Sequence, residues 1–454
     1  MTKPSRSSVP VLSSDSAREA GGTPDLTSAA AAARRAVLLE LIDHIDAALR
    51  PGFDLEGWLR ASFSRRLDFG ARERQHFRVA LLTWTRFRGW LEPSLARDPA
   101  KALAVLCLCL PPGEVRETFA AGLNLPPDER RPLPSRDALQ AVDPAGFYTV
   151  SELLPAWLID QAPWTFEDGV IEKWFAPTPM WMRCRPGRRD EIMAVLAPLG
   201  LPMRTHPRLP DALGLPADID VSGLYPYRDG LFEVQDIGAQ AIMALCEARP
   251  GELWLNTFTG LGRHARALAD AVGPSGRVDC SDHRQNEMKA LDLGNPLHAR
   301  KNLRVVDAKT GGGGYDGVFA FALSSCSGLL RHRPWLFHQI DAATFGRFVE
   351  AQRELLTESA PRVRPGGRLV YSVSSVCRSE TQKVAEWFVG THADFEVVTP
   401  RLAPELARPA APGWRIRPED MDCDARYVAV FRRRDQPPAE RGRGRSPGAH
   451  GAPR

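Results

Sequence analysis

The sequence predicts a multidomain protein of the α plus α/β class. It has a helical N-terminal part, a small mixed segment and a C-terminal domain on a mostly parallel, Rossmann-like sheet. Three observations carry this. In the first third, apolar residues recur at helical spacing, as in Val37, Leu38, Leu41, Ile42, Ile45, Ala48 and Leu49. From about residue 250, short apolar runs alternate with amphipathic stretches, the rhythm of a parallel sheet covered on both faces. The length of 454 residues exceeds one typical domain.

Residues 1–26, rich in Ser, Pro, Thr and Gly, read as a disordered tail, as does the basic stretch 434–454 with its Arg441-Gly442-Arg443-Gly444-Arg445. A helical domain spans 27–145. Its first helix starts at Thr27 and stops at Pro51-Gly52. A second holds Trp58, Leu59 and Phe63, a third runs from about Ala71 to Leu91, and Ala102–Leu110 is an apolar fourth. The third helix has Phe77, Leu81, Trp84 and Phe87 on one face and Arg72, Arg74, Arg78, Arg86 and Arg88 on the other. That basic face is either a solvated helix surface or a surface for RNA phosphates. A mixed α+β segment spans 146–231, with a strand at Pro179–Arg183, a helix at Arg189–Leu199 and then a Pro-rich stretch. In the last domain, 232–433, strands are predicted at 252–256, 277–281, 303–306, 315–322, 368–374 and 425–432. Helices are predicted near 236–247, 263–272, 284–293, 343–358 and 379–390.

Composition narrows the class. With 43% hydrophobic and 25% charged residues the chain reads as a globular protein, and no apolar run is long enough to span a membrane. The eight cysteines show no zinc-type spacing, so no metal is predicted and reduced thiols in a cytoplasm are the default. A net charge of +4 is too small to imply nucleic acid by itself. The chain is read as a monomer.

The motif with the most chemistry lies at the first strand–helix turn of the last domain. Leu253–Leu255 leads into Gly260 and Gly262 and then a helix; glycines admit a ligand close to the backbone, and a helix N-terminus offers free N–H groups. Two acids follow in order. Asp282 ends the second strand, where it can accept both hydroxyls of a ribose, and Asp307 ends the third, where it can accept from an adenine amino group. Either acid could instead cap a helix, but together they favour a nucleoside cofactor.

These features, with Pro155-Ala156-Trp157-Leu158, Met180-Trp181-Met182-Arg183 and Val234-Gln235-Asp236-x-x-Ala239-Gln240, resemble the bacterial ribosomal-RNA cytosine-C5 methyltransferases of the Sun/Nop type over about residues 30–433. The helical domain then resembles that family's NusB-like RNA-binding domain. The resemblance implies a class I methyltransferase domain with a mostly parallel seven-stranded sheet, S-adenosylmethionine as cofactor and ribosomal RNA as partner. It places cofactor contacts on Asn256, Gly260, Gly262, His264, Asp282, Asp307 and Phe321, and RNA contacts on Arg72, Arg78, Arg183, Arg331 and Arg333. The family loop Asp-x-Cys-Ala-Ala-Pro-Gly-Gly-Lys-Thr falls on Asn256–Ala265, which keeps Gly262 but has Asn256, Leu261, Arg263 and His264 in place of acid, Pro, Gly and Lys.

Methylating carbon 5 of cytosine needs a thiolate to add to carbon 6 and an acid near N3. The family's two Cys positions hold Ser374 and Ser324, and the position of its acid holds Phe321. Cys326, in Cys326-Ser327-Gly328-Leu329, and Cys377 are candidate replacements from neighbouring positions, or else small apolar residues near a strand end. Trp335 and Phe337 are expected beside the substrate cleft, where bases could stack. Three functions stay open: a cytosine-C5 RNA methyltransferase; a catalytically degenerate homologue that binds RNA or ribosome precursors; and methylation of another atom without a covalent thiol.

Overall fold

The computed structural model describes residues 27–435 apart from 51–52, 66–68, 128–132, 168, 177, 218, 220, 283–299, 308–311 and 341. Both predicted tails, except Arg434 and Asp435, and the predicted helix at 284–293 lie outside the described residues.

The first helix is Ser28–Ala48, and Thr27 caps it by accepting the Ala30 N–H at 3.3 Å. Leu38, Leu41, Ile42 and Ile45 form its buried stripe. Helices Leu55–Arg65 and Ala71–Arg86 follow. The predicted run to Leu91 is two helices instead, because the chain leaves the helical region at Phe87 (φ −105°, ψ 18°) and restarts as Arg88–Arg97. This turns Phe87 and Trp90 into one core, with ring centroids 5.6 Å apart. Helix Pro99–Cys109, capped by Asp98, is buried on all sides from Ala102 onward, where it is uniformly apolar.

The helical core does not stop at its own helices. Leu153, Leu154, Leu158, Trp164, Trp174 and Phe175 continue it, and so do Leu330, Trp335, Phe337, Phe345, Val376 and Cys377 from the C-terminal domain. Polar contacts cross the same seam. Arg86 donates to the Arg331 carbonyl at 2.7 Å, Gln339 to the Phe53 carbonyl at 2.9 Å, and the Arg378 N–H to the Gln161 carbonyl at 2.9 Å.

The mixed segment is a four-stranded antiparallel sheet of order β2-β3-β1-β4, with β1 Met180–Cys184, β2 Arg204–His206, β3 Leu209–Leu215 and β4 Phe232–Val234. The Pro-rich stretch thus contains a hairpin that its composition hides. The Gln-rich entry motif fastens this sheet to the next domain. Asp236 caps helix Ile237–Leu245 by accepting the Ala239 N–H, and buried Gln240 donates to the Met182 carbonyl at 3.1 Å.

The last domain carries β5 Leu253–Asn256, β6 Arg277–Cys280, β7 Leu303–Val305, β8 Tyr315–Phe321, β9 Val363–Val373, β10 Phe395–Val398, β11 Arg408–Ala410, β12 Gly413–Ile416 and β13 Arg426–Arg433. The order is β11-β12-β13-β9-β8-β5-β6-β7, with β10 also on β13. β7, β6, β5, β8 and β9 are parallel and β13 is antiparallel to β9. The sheet has nine strands instead of the expected seven, because the β11–β12 hairpin extends one edge. The order reverses at β5, so a crevice opens at the carboxyl ends of β5, β6 and β8.

Candidate cofactor cleft and catalytic rim

The turn after β5 is built to approach a ligand. Gly260 (φ +52°) and Gly262 (φ +77°) occupy the left-handed region, and helix Arg263–Val272 starts from Gly262. The turn is pinned to β6: Thr259 bonds the Ser281 carbonyl, and the Gly260 N–H donates to Asp282 Oδ2 at 2.9 Å. Asp282 is thus held at the end of β6 with its carboxylate beside the glycine turn. Asn256, fully buried at the end of β5, has neither side-chain atom hydrogen-bonded. An unmatched buried amide costs about 1–3 kcal/mol unless something pairs with it. A cavity of ≈ 340 Å³ opens alongside, lined by Thr257, Phe258, Ser281 and Leu323 and by Glu354 and Glu358 of helix Ala342–Ser359. Asp307 is exposed just past β7 and stands at the margin, next to residues outside the described set.

His264 and Phe321 pack together just beyond the turn, with centroids 4.9 Å apart. Burial first, then Arg426, Arg263 and Arg183, push the His264 imidazole down to about 3, so it is neutral.

Ser374 and Ser324, far apart in sequence, come together. Ser374 follows β9, Ser324 follows β8, and Ser324 Oγ lies 3.5 Å from the Ser374 carbonyl. Ser374 Oγ accepts a 2.7 Å hydrogen bond from Arg426 Nη1. A group that would withdraw the Ser374 proton is not what it meets. Arg426 also reaches Asp236 Oδ2 at 3.3 Å, and Asp236 accepts the Asp424 N–H at 3.1 Å. Asp424 in turn bonds His332 Nδ1 at 2.8 Å. Burial and the neighbouring Asp424 charge raise the Asp236 carboxyl, while for Asp424 burial is outweighed by His332 and Arg426 and the carboxyl is lowered. His332, Asp424 and Arg426 escaped the sequence reading because they come from separate segments and carry no shared spacing.

Neither replacement thiol is activated. Cys377 is fully buried in the core that joins the domains, and burial pushes its thiol up to about 12. Cys326 takes the left-handed conformation (φ +57°), and burial raises it despite Arg333 nearby. A buried carboxyl, Glu380, organises both loops instead: it accepts from Ser325 Oγ and Ser375 Oγ at 2.6 Å each and from Gln352.

The expected RNA contacts divide. Arg183 is buried between Glu233 and Asp270, and Arg331 is buried against the Cys423 and Ala176 carbonyls, so neither presents a guanidinium to a phosphate. Arg72 pairs with Glu114, and Arg78 pairs with Glu56 at 2.5 Å. Arg88 likewise pairs with Asp46, so these three arginines of the basic face meet acids on other helices. Arg333, and with it Arg263 beside the glycine turn, is exposed and has no ion-pair partner among the described residues. Trp335 and Phe337 are not at a stacking surface: they are 3% and 6% exposed, inside the helical core.

With this geometry in place, residues 244–432 match the model of the 16S rRNA methyltransferase RsmB/F family. Over that stretch the chain is similar to the RsmB/F methyltransferase family. Ribosomal RNA small subunit methyltransferase B of Cronobacter sakazakii is 27% identical over 258 residues, covering 54% of this chain and 59% of the relative. Its counterpart in Vibrio cholerae is 26% identical over 291 residues, covering 61% and 64%. The chain thus spans less than two thirds of the length of these relatives. Among solved structures, PH0851 superposes with a TM-score of 0.65 at 19% identity, over 82% of this chain and 93% of that one. NSun6 from Pyrococcus horikoshii with SFG has a TM-score of 0.54 at 13% identity, over 62% and 98%. These likenesses show the fold alone. Among the described residues, no group of acids, His and Cys could hold a metal, and no helix is long and apolar enough to cross a membrane.

Proposed function

We propose that this chain is an S-adenosylmethionine-dependent methyltransferase-family protein that acts on ribosomal RNA of the small subunit. The observation that carries the cofactor part is the Asp282–Gly260 bond beside the unmatched amide of Asn256, at the point where the strand order reverses. Asp282 would take the ribose hydroxyls, with one carboxylate oxygen already fixed by the turn, and Asn256 would pair with a polar group of the amino-acid end. The cofactor supplies a methyl group on a positively charged sulfur, ready for a nucleophile. The rim residues orient and exclude water: Arg426 holds Ser374, and Glu380 holds the two serine loops. They do not supply a thiolate, so attack on carbon 6 of a cytosine has no prepared nucleophile here. The RNA part rests on the relatives' activity and on the solvent-facing Arg333 and Arg263.

Calorimetry with S-adenosylmethionine tests the cofactor. Wild-type protein is expected to bind it, and Asp282→Ala to lose at least tenfold in affinity, since a charged hydrogen-bond partner contributes about 1.5–3 kcal/mol. Absence of binding at millimolar cofactor sinks the reading. Labelled methyl transfer to undermethylated small-subunit RNA tests the activity. Transfer that survives both Cys326→Ala and Cys377→Ala is the expected outcome, and loss in either variant would instead identify a recruited thiol. If cofactor binds and no RNA is methylated, the chain is an RNA-binding homologue.

The charge assignment has its own test. Arg333→Ala is expected to lower the slope of log affinity for RNA against log salt by about one, whereas Arg78→Ala leaves it unchanged. Equal effects in filter-binding titrations would return the helical face to the interface.

A further inference from the structure

Two consecutive residues of the rim reach two consecutive residues of the loop before β13. Arg331 Nη1 donates to the Cys423 carbonyl at 3.2 Å, and His332 Nδ1 meets Asp424 Oδ1 at 2.8 Å. The backbone joins the same segments: the Ala425 N–H donates to the Gly328 carbonyl at 2.9 Å, and the N–H groups of His332 and Arg333 both donate to the Leu329 carbonyl, at 3.0 and 2.8 Å. On the side of the helices, Arg86 holds the Arg331 carbonyl. The short run between the turns Ser327–Leu329 and Pro334–His338 is therefore held on both flanks.

What this held run shows to water is basic. Arg331 is turned inward, with a side chain 0% exposed. The His332 side chain is 43% exposed, although its partner Asp424 is only 6% exposed. The bond to Asp424 uses Nδ1, and Nε2 has no partner among the described residues. Arg333 beside it is exposed and has no ion-pair partner among the described residues. With Nδ1 tied to a buried carboxylate, the free edge of the imidazole is the one that carries Nε2.

Charge decides between the two things such an imidazole can do. A general base must be neutral, whereas a phosphate contact must be protonated. The charged groups that face His332 are Asp424, Asp236 from the cap of helix Ile237–Leu245, and Arg331 on its own segment. Arg426 stands behind the two carboxylates, bonded to Asp236 at 3.3 Å and 4.0 Å from Asp424. Burial works against the proton, but Asp424, by charge and by hydrogen bond, and then Asp236 outweigh it, and the imidazole is raised above its ordinary 6.5. His76, His206, His264 and His338 are lowered instead, burial being the largest cause in each.

We propose that His332 and Arg333 form one phosphate-binding rim for RNA, in which Asp424 positions the imidazole and leaves its Nε2–H to a phosphate oxygen, so that the hold on RNA weakens as the imidazole loses its proton. This rests on the RNA reading above and adds to it a second contact and a pH dependence.

A phosphodiester stays anionic throughout, so the protein side alone titrates. A raised imidazole keeps its proton below the ordinary value and loses it as pH rises through the folded one. The contact is therefore made at about pH 5.5 and lost by about pH 9.

Filter-binding titrations of the full chain with small-subunit RNA test this. The slope of log affinity against log salt is expected to be steeper by about 0.7–0.9 at about pH 5.5 than at about pH 9 in wild type, and equal at the two in His332→Gln. At fixed salt, wild-type affinity is expected to fall about two- to fivefold between those pH values, the scale of one exposed charge pair. Asp424→Asn keeps the shape, removes the charge and is expected to move that fall to lower pH. Nuclear magnetic resonance of histidine-labelled protein follows the ring itself, its signal being the one absent from His332→Gln, and carries the assignment where Asp424→Asn does not fold. The midpoint is expected above 6.5 in wild type, raised further by RNA and unmoved by millimolar inorganic phosphate. A midpoint at or below 6.5, equal slopes at the two pH values in wild type, or a phosphate ion as effective as RNA overturns the proposal. Wild type that binds no RNA at either pH sinks the RNA reading itself, whereas binding that ignores pH sinks only this inference.

Discussion

Replacing Arg183 by Ala is expected to destabilise the protein by about 3–5 kcal/mol. Arg183 donates from Nε and Nη2 to Glu233 Oε1 at 3.2 and 2.6 Å, and from Nη1 to Asp270 Oδ2 at 2.8 Å. Arg266 completes Glu233 with contacts of 2.9 and 2.6 Å, and Arg300 completes Asp270. The three side chains Arg183, Glu233 and Asp270 are only 9–11% exposed. Removing this guanidinium leaves Glu233 with Arg266 and Asp270 with Arg300, but it takes three charge-assisted hydrogen bonds from two buried carboxylates and leaves a void, and that makes the cost large. Urea unfolding reads it directly, and a loss under 1 kcal/mol would mean that water reaches the network.

The same network fixes a pH dependence. Burial alone would raise the Glu233 carboxyl above its ordinary 4.5, but Arg183 and Arg266 outweigh burial and hold it lower. Asp270 is likewise lowered, with Arg300 and Arg183 overcoming burial. A depressed carboxyl stabilises fully above the unfolded value and loses that contribution as pH falls through the folded one. The gap between wild type and Arg183→Ala should therefore be constant at neutral pH and close progressively below about pH 4.5.

Trp335→Ala is the second large effect, expected at about 3–5 kcal/mol, the usual cost of deleting a buried indole. Trp335 is 3% exposed and shares one core with Phe87, Trp90, Phe175 and Phe345. A cavity there would weaken the contact between the helices and the sheet, so tryptic cleavage between them should appear before global unfolding. If Trp335 were instead a stacking residue at the cleft, the same substitution would leave stability within about 0.5 kcal/mol and weaken RNA binding.

That contrast shows where sequence stops informing. The parallel strands β5, β6, β8 and β9 were readable because each is an apolar run bounded by turn residues, and Gly260 to Asp282 was readable because the turn and the acid sit at fixed places in any such crevice. The break at Phe87 was not, since Arg88-Gly89-Trp90 continues the helical pattern. Nor was the β2–β3 hairpin, whose Pro207 and Pro210 mimic a loop. The arginine face looked like an RNA surface because the acids that answer it, Glu56 and Glu114, lie on other helices. A charge pattern shows one side of an ion pair; folding supplies the other.

The segment Arg331–Gln339 is packed against the helical core and bonded to Thr85, Phe53 and Arg86. Those contacts tie the edge of the last domain to the helices through side chains and backbone alike. A molecule braced in this way works as a ruler, with its two surfaces held at one spacing.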